Sequence, residues 1–150
     1  MKNNFWLFGT FLTILEDESD TEGRYDLIEG TFTPGIETPL HLHSKYSETL
    51  IILEGEFTVK IKGKTETLKP GQRIFIPKGT PHAVACTGSV KSKAITIASP
   101  SGFAELIRTV GLSGNEYEQP TTPNNMVLFG QVSEIIGDQL LGFPGSPSSY

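Results

Sequence analysis

Short runs of alternating apolar and polar residues fill the first two thirds of the chain. The runs lie at residues 5–15, 24–33, 38–43, 48–53, 57–61, 66–68, 73–76, 82–86 and 93–98. Turn-forming pairs such as Pro34-Gly35 and Pro70-Gly71 lie between them. Strands at intervals of about 8 to 12 residues, with Gly or Pro turns between them, are typical of an all-β sandwich or barrel. No alternation of strands with helices competes with this pattern, so we predict an all-β fold.

The pattern changes after Ser99, where apolar residues recur at helical spacings. Residues 103–110 place apolar side chains three, four and seven positions apart, and a glycine follows them. A second helix is predicted to begin at Thr122 and Pro123, where a capping hydroxyl precedes a proline in the first helical position. It is predicted to end at Gly137. Two short C-terminal helices are therefore expected to follow the barrel and to cap one of its mouths.

Length and composition favour one β-rich domain. The chain has 150 residues, the usual size of a single domain, and its 16 glycines and 10 prolines exceed their average share. The expected division is a β-barrel at residues 1–100, a helical extension packed on it at 101–140, and a flexible tail at 141–150 that is rich in Gly, Pro and Ser.

Charge and cysteine content restrict the partners and the compartment. The net charge is −5, and Lys and Arg form no stripe along the chain, so a nucleic acid partner is not expected. A single cysteine, Cys86, cannot form an intramolecular disulfide and favours the reducing cytoplasm. No apolar run approaches the roughly 20 residues of a spanning helix, so no membrane association is expected.

The three histidines of the chain fall in two short stretches. His41 and His43 lie two residues apart on a predicted strand, so their side chains project from the same face. A short turn is then expected to return the chain antiparallel and to bring Glu48 beside them. His82 begins a later strand and is expected at the same end of the barrel. A single histidine on a strand is more often a packed or surface residue, but these four residues together predict a metal site.

The types of ligand limit which metal ion the site would hold and which molecule would bind to that ion. Three imidazole nitrogens and one carboxylate oxygen suit divalent Fe, Mn, Ni, Co, Cu or Zn, and the choice among these ions stays open. Four protein ligands on an ion that prefers six leave about two positions for water or substrate. A divalent ion with one coordinating carboxylate retains a charge of about +1, so an anionic oxygen is the favoured guest.

Glycines and a proline accompany the four candidate ligands at regular spacings. The first group is Gly35, His41, His43, Glu48 and Gly55, and the second is Gly71, Pro77, Gly79 and His82. These groups resemble the two signature motifs of the cupin superfamily. The resemblance covers residues from about 5 to 100. It implies a double-stranded β-helix, or jelly roll, with the same four ligands and frequent pairing into dimers. The family pattern usually has Asn where Cys86 stands, a position that is not a ligand.

Two flanking segments, Thr21-Glu22-Gly23 before the first motif and Ser99-Pro100-Ser101-Gly102-Phe103 after the barrel, resemble bacterial single-domain cupins similar to quercetin 2,3-dioxygenase. This resemblance implies a metal-dependent dioxygenase that acts on a small enol, phenolic or flavonol-like substrate. A non-catalytic metal or small-molecule binding protein and a metal-dependent isomerase or lyase remain alternatives. Because every histidine is committed to the metal, Glu48 is the candidate catalytic residue, a role that resemblance to quercetinase-like cupins suggests.

Strand parity predicts the wall of the substrate pocket. Side chains that alternate with Glu48 and His82 face the same interior, and they are Leu50, Ile52, Val84 and Cys86. Such an apolar wall suits an anionic or aromatic small molecule better than a sugar. Lys45, Tyr46 and Arg73 are second candidates for an acid or base, but they are expected to be exposed loop or strand side chains without a catalytic role. A homodimer is expected from the family resemblance and from the apolar first strand at residues 5–12, whose edge can pair with a neighbouring chain.

Overall fold

The computed structural model describes residues 3–145, and within them the chain forms twelve strands and three helices. The strands are β1 Asn4–Leu7, β2 Thr10–Glu16, β3 Asp26–Phe32, β4 Leu40–His43, β5 Ser47–Glu54, β6 Phe57–Ile61, β7 Lys64–Leu68, β8 Arg73–Ile76, β9 His82–Cys86, β10 Ser92–Ser99, β11 Leu112–Ser113 and β12 Asp138–Gly142. The helices are α1 Glu18–Thr21, α2 Phe103–Val110 and α3 Met126–Ile136. None of these helices is long and apolar enough to cross a membrane.

The strands form two antiparallel sheets. The seven-stranded sheet has the order β11-β1-β2-β3-β10-β5-β8, and the five-stranded sheet has the order β12-β4-β9-β6-β7. Side chains from both sheets share one buried cluster, so the sheets pack face to face. The prediction of an all-β fold followed by two short helices is confirmed.

Alternation along the strands fills one end of the space between the sheets. On β6, Phe57, Val59 and Ile61 are buried, whereas the residues between them are only half-buried. Phe57 contacts Phe32 edge-on, with ring centroids 5.1 Å apart. Burying each such side chain contributes about 1.5–3 kcal/mol, so this cluster is a main source of stability.

A second buried cluster joins the other end of the seven-stranded sheet to the helices. It includes Leu12 and Ile28 from the sheet and Leu106 and Ile107 from α2. The carboxylate of Asp26 accepts hydrogen bonds from two backbone N–H groups at the start of α2, which fixes the helix on the sheet. The predicted bounds of this helix match the structure.

The first predicted strand is a hairpin. Phe8 and Gly9 adopt positive φ angles of 49° and 79° and form the turn between β1 and β2. A Phe-Gly pair is an unusual turn sequence, so the pattern alone suggested one continuous run. Strand β11 pairs with β1 at Phe5 and Trp6, and therefore the edge that was expected to meet a neighbouring chain is already partly occupied.

Helix α3 begins later than predicted. Thr122 and Pro123 precede the helix, and Asn125 is the N-cap, since its side chain accepts hydrogen bonds from Val127 N and Leu128 N. The asparagine side chain satisfies two of the free backbone donors at the start of the helix. The helix ends before Gly137, as predicted.

Two further elements were not predicted. Asp17 caps the single turn of α1. Strand β12 pairs with β4, so residues 138–142, which were assigned partly to the helical extension and partly to the tail, extend the five-stranded sheet. Residues 146–150 of the predicted tail lie outside the described residues. The division of the chain into barrel, extension and tail stays a prediction.

Candidate metal centre

His41, His43 and His82 converge inside the barrel. His41 lies directly opposite His82 in the pairing of β4 with β9, and directly opposed residues share a face of the sheet. The ring centroids are 4.8 Å apart for His41 and His43, 4.3 Å for His41 and His82, and 5.1 Å for His43 and His82. One nitrogen of each ring lies within 4.8 Å of the others, which is a suitable spacing for a shared metal ion.

Glu48 faces the same cluster, but not by the predicted route. Its Oε2 atom lies 3.0 Å from His43 Nε2 and 3.3 Å from His82 Nε2. Strands β4 and β5 do not form a hairpin, because β4 belongs to the five-stranded sheet and β5 to the seven-stranded sheet. The chain crosses between the sheets after His43, and the carboxylate approaches the imidazoles across the interior. The expected proximity was correct although the expected strand pairing was wrong.

The Nδ1 atom of each histidine is held by an oxygen. The contacts are His41 to Pro39 O at 2.7 Å, His82 to Thr80 O at 2.9 Å, and His43 to Asp138 Oδ1 at 2.6 Å. A carbonyl oxygen only accepts, so Nδ1 of His41 and of His82 must donate a proton. The lone pairs of these rings are therefore on Nε2, the atom that faces the cluster.

The donor set fits a divalent transition metal ion. His82 is 0% exposed, and within residues 3–145 its Nε2 atom makes no hydrogen bond of good geometry, although Glu48 Oε2 lies 3.3 Å away. A buried nitrogen without a partner is costly, and a bound ion would supply the missing interaction. Burial, together with the neighbouring His82 and His43, lowers the pKa of His41 to about 3, so this ring stays in the neutral form that binds metals.

His43 and Glu48 are electrostatically coupled. Burial alone would lower the pKa of His43, but its hydrogen bonds to Asp138 and Glu48 raise that pKa to about 9. Burial would raise the pKa of Glu48, but the adjacent His43 and His82 hold it well below its usual range. A proton on His43 Nε2 is donated to Glu48. A metal ion at this position would replace that proton.

Sequence reasoning missed a polar group beside the histidines. Asp138 on β12 accepts a hydrogen bond from His43 through Oδ1 and another from the Tyr46 hydroxyl, 3.1 Å away, through Oδ2. The Tyr46 ring stacks on His43 with centroids 4.4 Å apart and planes 24° apart. Tyr46 was expected to be exposed, and this was wrong, since it is 2% exposed. Lys45 and Arg73 are exposed as expected.

Burial raises the pKa of Tyr46 well above its ordinary value, and the charges of Asp138 and Glu48 add to the shift. The phenol therefore stays protonated and remains a hydrogen-bond donor to Asp138. The only signal for this carboxylate in the sequence is the alternation of Asp138 and Leu140 after Gly137, which is too short to predict a strand.

A cavity of about 360 Å³ adjoins the histidines. It lies between β1–β3 of one sheet, β4 and β12 of the other, and helices α2 and α3. Its apolar lining includes Leu7, Leu12, Phe32, Ile36, Phe103, Leu106, Phe129 and Leu140. The polar lining includes His41, His43 and Asp138 at one wall and Thr10, Glu37 and Thr38 elsewhere. Among the described residues, no lysine or arginine lines this cavity.

The four residues predicted to form the pocket wall do not line this cavity. Leu50, Ile52 and Val84 belong to the packed cluster at the other end of the barrel, and Cys86 is buried with Sγ near two backbone carbonyls. Parity correctly predicted that they face inward. The sequence could not reveal that this end is filled and that the free space lies on the opposite side of the histidines.

Two antiparallel sheets that enclose a cluster of histidines and a carboxylate define a cupin-type barrel. Residues 28–98 match the family model described as a cupin domain. This region of the chain is similar to the cupin superfamily, and the fold is the double-stranded β-helix.

Curated relatives and solved structures agree with this family. The chain is 26% identical over 98 residues to quercetin 2,3-dioxygenase of Bacillus subtilis, in an alignment that covers 65% of this chain and 29% of that protein. The polyketide cyclase RemF from Streptomyces resistomycificus has a TM-score of 0.56 and 27% identity, over 67% of this chain and 69% of that one. An RmlC-like cupin from Shewanella frigidimarina has a TM-score of 0.58 and 22% identity, over 67% and 86%.

The lengths of the relatives differ from that of this chain. The chain spans 29%, 19% and 62% of the first three curated relatives it matches.

Proposed function

We propose that this chain is a metal-dependent cupin dioxygenase that acts on a small enol, phenolic or flavonol-like substrate. His41, His43, Glu48 and His82 are the proposed ligands of one divalent transition metal ion. The observation that carries the proposal is the set of inward-facing imidazole nitrogens beside a buried carboxylate, next to a mainly apolar cavity. The choice among Fe, Mn, Ni, Co, Cu and Zn stays open, because this ligand set accepts each of them.

The cavity favours one class of substrate. With no cationic side chain among the described lining residues, a substrate anion has only the metal site to neutralise it. The remaining lining is mainly aliphatic and aromatic, and it suits a flat hydrophobic body better than a sugar. A molecule with one acidic oxygen on an otherwise apolar frame satisfies both conditions. Bound metal would supply Lewis-acid or redox chemistry at that oxygen.

Glu48 is the proposed catalytic residue. Its Oε2 atom lies beside the histidine nitrogens that would hold the ion, where it would accept the proton that an enol or phenol loses on binding. The apolar lining around the cavity would exclude water from the reacting centre, and the histidines hold the site in a fixed geometry. The similarity to quercetin 2,3-dioxygenase supports this choice of substrate and reaction.

A second candidate is a metal-dependent cyclase, isomerase or lyase that consumes no oxygen. The similarity to the polyketide cyclase RemF favours it, because that structure covers two thirds of this chain at more than a quarter identity. Both candidates use the same site. They differ in whether dioxygen is a substrate.

Oxygen consumption separates the two candidates. The protein would be reconstituted with each of the six ions, its metal content measured by elemental analysis, and oxygen uptake followed with flavonols, phenols and small enolisable acids. We expect uptake with at least one ion, and its loss in His82→Ala together with at least about a hundredfold weaker metal binding. Glu66→Gln, which neutralises an exposed carboxylate on β7 outside the cavity, is the matched control.

The other results assign different functions. Substrate turnover without oxygen uptake would favour the cyclase, isomerase or lyase. A metal-loaded protein that turns over none of these compounds would be a non-catalytic binding protein. Failure to bind any of the six ions would contradict all three functions, the dioxygenase, the cyclase, isomerase or lyase, and the metal-binding protein.

We also propose that the chain acts in the cytoplasm as a homodimer. Its single cysteine is buried, and cupins of this kind frequently pair into dimers. Light scattering at several protein concentrations tests the assembly, and a mass equal to one chain at all of them would contradict it.

A further inference from the structure

Asp138 reaches the metal site from a strand that the family match does not include. The match covers residues 28–98, whereas Asp138 begins β12 and lies directly opposite His43 in the pairing with β4. Directly opposed residues on antiparallel strands project from the same face. Asp138 is therefore held beside His43, with its side chain 9% exposed.

The residue before β12, Gly137, packs tightly against the turn that follows β4. Gly137 has a φ of 82°, and its carbonyl accepts hydrogen bonds from the backbone N–H and the hydroxyl of Ser44, both at 2.8 Å. A Cβ atom at position 137 would lie 2.4 Å from Ser44 Oγ, so a larger residue is excluded by space as well as by conformation. Lys45 Nζ also donates to Ile135 O. These contacts fix the start of β12 next to the last residue of β4.

His43 is oriented differently from the other two histidines. The Nδ1 atoms of His41 and His82 donate to carbonyl oxygens two residues earlier, so local backbone orients these rings. Nδ1 of His43 instead bonds to a carboxylate 95 residues away in sequence. Tyr46 adds a second constraint, because it stacks on the His43 ring and donates to the other oxygen of Asp138.

We propose that Asp138, oriented by Tyr46, is a positioning residue that fixes His43 as a metal ligand. This inference rests on the proposed metal site. A carboxylate that accepts the Nδ1 proton directs the lone pair of Nε2 toward the ion and makes that nitrogen a stronger donor. The segment formed by α3 and β12 then controls metal affinity, and it does so without contributing a ligand.

Four variants test the proposal. Asp138→Ala removes the acceptor, Asp138→Asn keeps its size and one acceptor oxygen but removes its charge, and Tyr46→Phe removes only the hydroxyl. Glu37→Gln is the control, because Glu37 lines the same cavity but pairs with Lys60, 3.0 Å away. Zn²⁺ affinity is measured by competition with a chromophoric chelator, and the ligand geometry is followed by the visible spectrum of the Co²⁺-loaded protein.

The expected effects are graded. Zn²⁺ binding should weaken about 10–100-fold in Asp138→Ala and about tenfold in Asp138→Asn, with a changed Co²⁺ spectrum, because loss of an outer partner of a ligating histidine has effects of this size. Tyr46→Phe should show a smaller loss, and Glu37→Gln should stay within about twofold of the wild-type protein. Wild-type affinity and an unchanged Co²⁺ spectrum in both Asp138 variants would overturn the proposal.

A measurement without metal separates this inference from the proposed function. In the metal-free protein, the Nδ1 proton of His43 should give a low-field, slowly exchanging NMR signal, which should disappear in Asp138→Ala and persist in Glu37→Gln. A wild-type protein that shows this pattern but binds no ion would contradict the proposed function and retain Asp138 as the residue that orients His43. A signal that is unchanged in Asp138→Ala would contradict the positioning role itself. If the alanine variant fails to fold, Asp138→Asn should shift the signal to higher field, because a neutral amide oxygen is a weaker acceptor, and an unchanged signal would contradict the positioning role.

Discussion

The two ends of the barrel interior are built from similar apolar side chains but are packed differently. The packed half consists of the buried cluster Leu50, Ile52, Phe57, Val59, Ile61, Leu68, Ile76, Val84 and Ala94. The hollow half lies beyond the histidines and contains the cavity of about 360 Å³ under helices α2 and α3. Both halves use alternating strands, so alternation does not determine which one is filled.

The difference separates stability from function. Side chains in a filled interior gain dispersion contacts on every side, whereas those around a cavity lose the contacts that face it. The hollow half is therefore less stabilised by packing, and it provides room for a ligand, as binding sites generally do. Strands β4, β5 and β9 carry the proposed ligands at the boundary between the halves, so the packed half holds a rigid frame for the site.

Truncation of a large side chain tests this contrast most strongly. Phe57 is 0% exposed in the packed half, and Phe57→Ala should lower the free energy of unfolding by about 3–5 kcal/mol, measured by urea denaturation. Phe129 borders the cavity and packs edge-on against Phe8 with centroids 4.9 Å apart. Because it is only partly buried, Phe129→Ala should cost less than half as much. Equal losses in the two variants would contradict the distinction between the halves.

An enlarged side chain tests the same contrast in the opposite direction. Leu50 and Leu12 are 3% and 8% exposed, but only Leu12 lines the cavity. Leu50→Phe should destabilise the protein by about 1–3 kcal/mol through overpacking, whereas Leu12→Phe should cost clearly less, since its ring can enter free space. Urea denaturation measures both. Leu12→Phe should also weaken binding of an apolar ligand such as a flavonol. A larger loss of stability for Leu12→Phe would show that the cavity is not available space.

The features that were predicted correctly from the sequence are those that a local pattern of residues determines. Strand β9 and helix α2 have the predicted ends, because alternation and helical spacing are read within a few residues. His41, His43 and His82 also follow from local features, a two-residue spacing and a turn. The family resemblance then supplied the jelly-roll fold, which strand pattern alone left open among sandwiches and barrels.

Non-local pairing explains what was missed. Asp138 meets His43 only because β12 pairs with β4, and no local pattern specifies a partner 95 residues away. The crossing of the chain between sheets before Glu48 was missed for the same reason, since a short turn suggested a hairpin. The position of the cavity depends on how α2 and α3 cover the barrel, which periodicity does not reveal.

Acid should affect the hollow half through the attachment of its helical cover. Asp17 accepts hydrogen bonds from Ser19 and pairs with Arg108 of α2, with Arg108 Nη1 2.6 Å from Asp17 Oδ2. These two partners lower the pKa of Asp17 to about 2 from its ordinary 3.8. A lowered pKa contributes stability that is complete above the ordinary value and is lost as the pH falls toward the lowered one.

The stability difference between the wild-type protein and Asp17→Asn should therefore be largest above pH 4 and shrink as the pH falls toward 2. We expect a difference of about 2 kcal/mol at most, because a buried carboxyl whose pKa is lowered from 3.8 to about 2 contributes roughly that free energy. Urea denaturation across this range measures it, with the exposed Glu22→Gln as a control that should show little difference at any pH. A difference that grows as the pH falls would mean that Asp17 does not hold α2 through its charge. The packed half, which depends on apolar contacts, should keep its Phe57→Ala cost unchanged over the same interval.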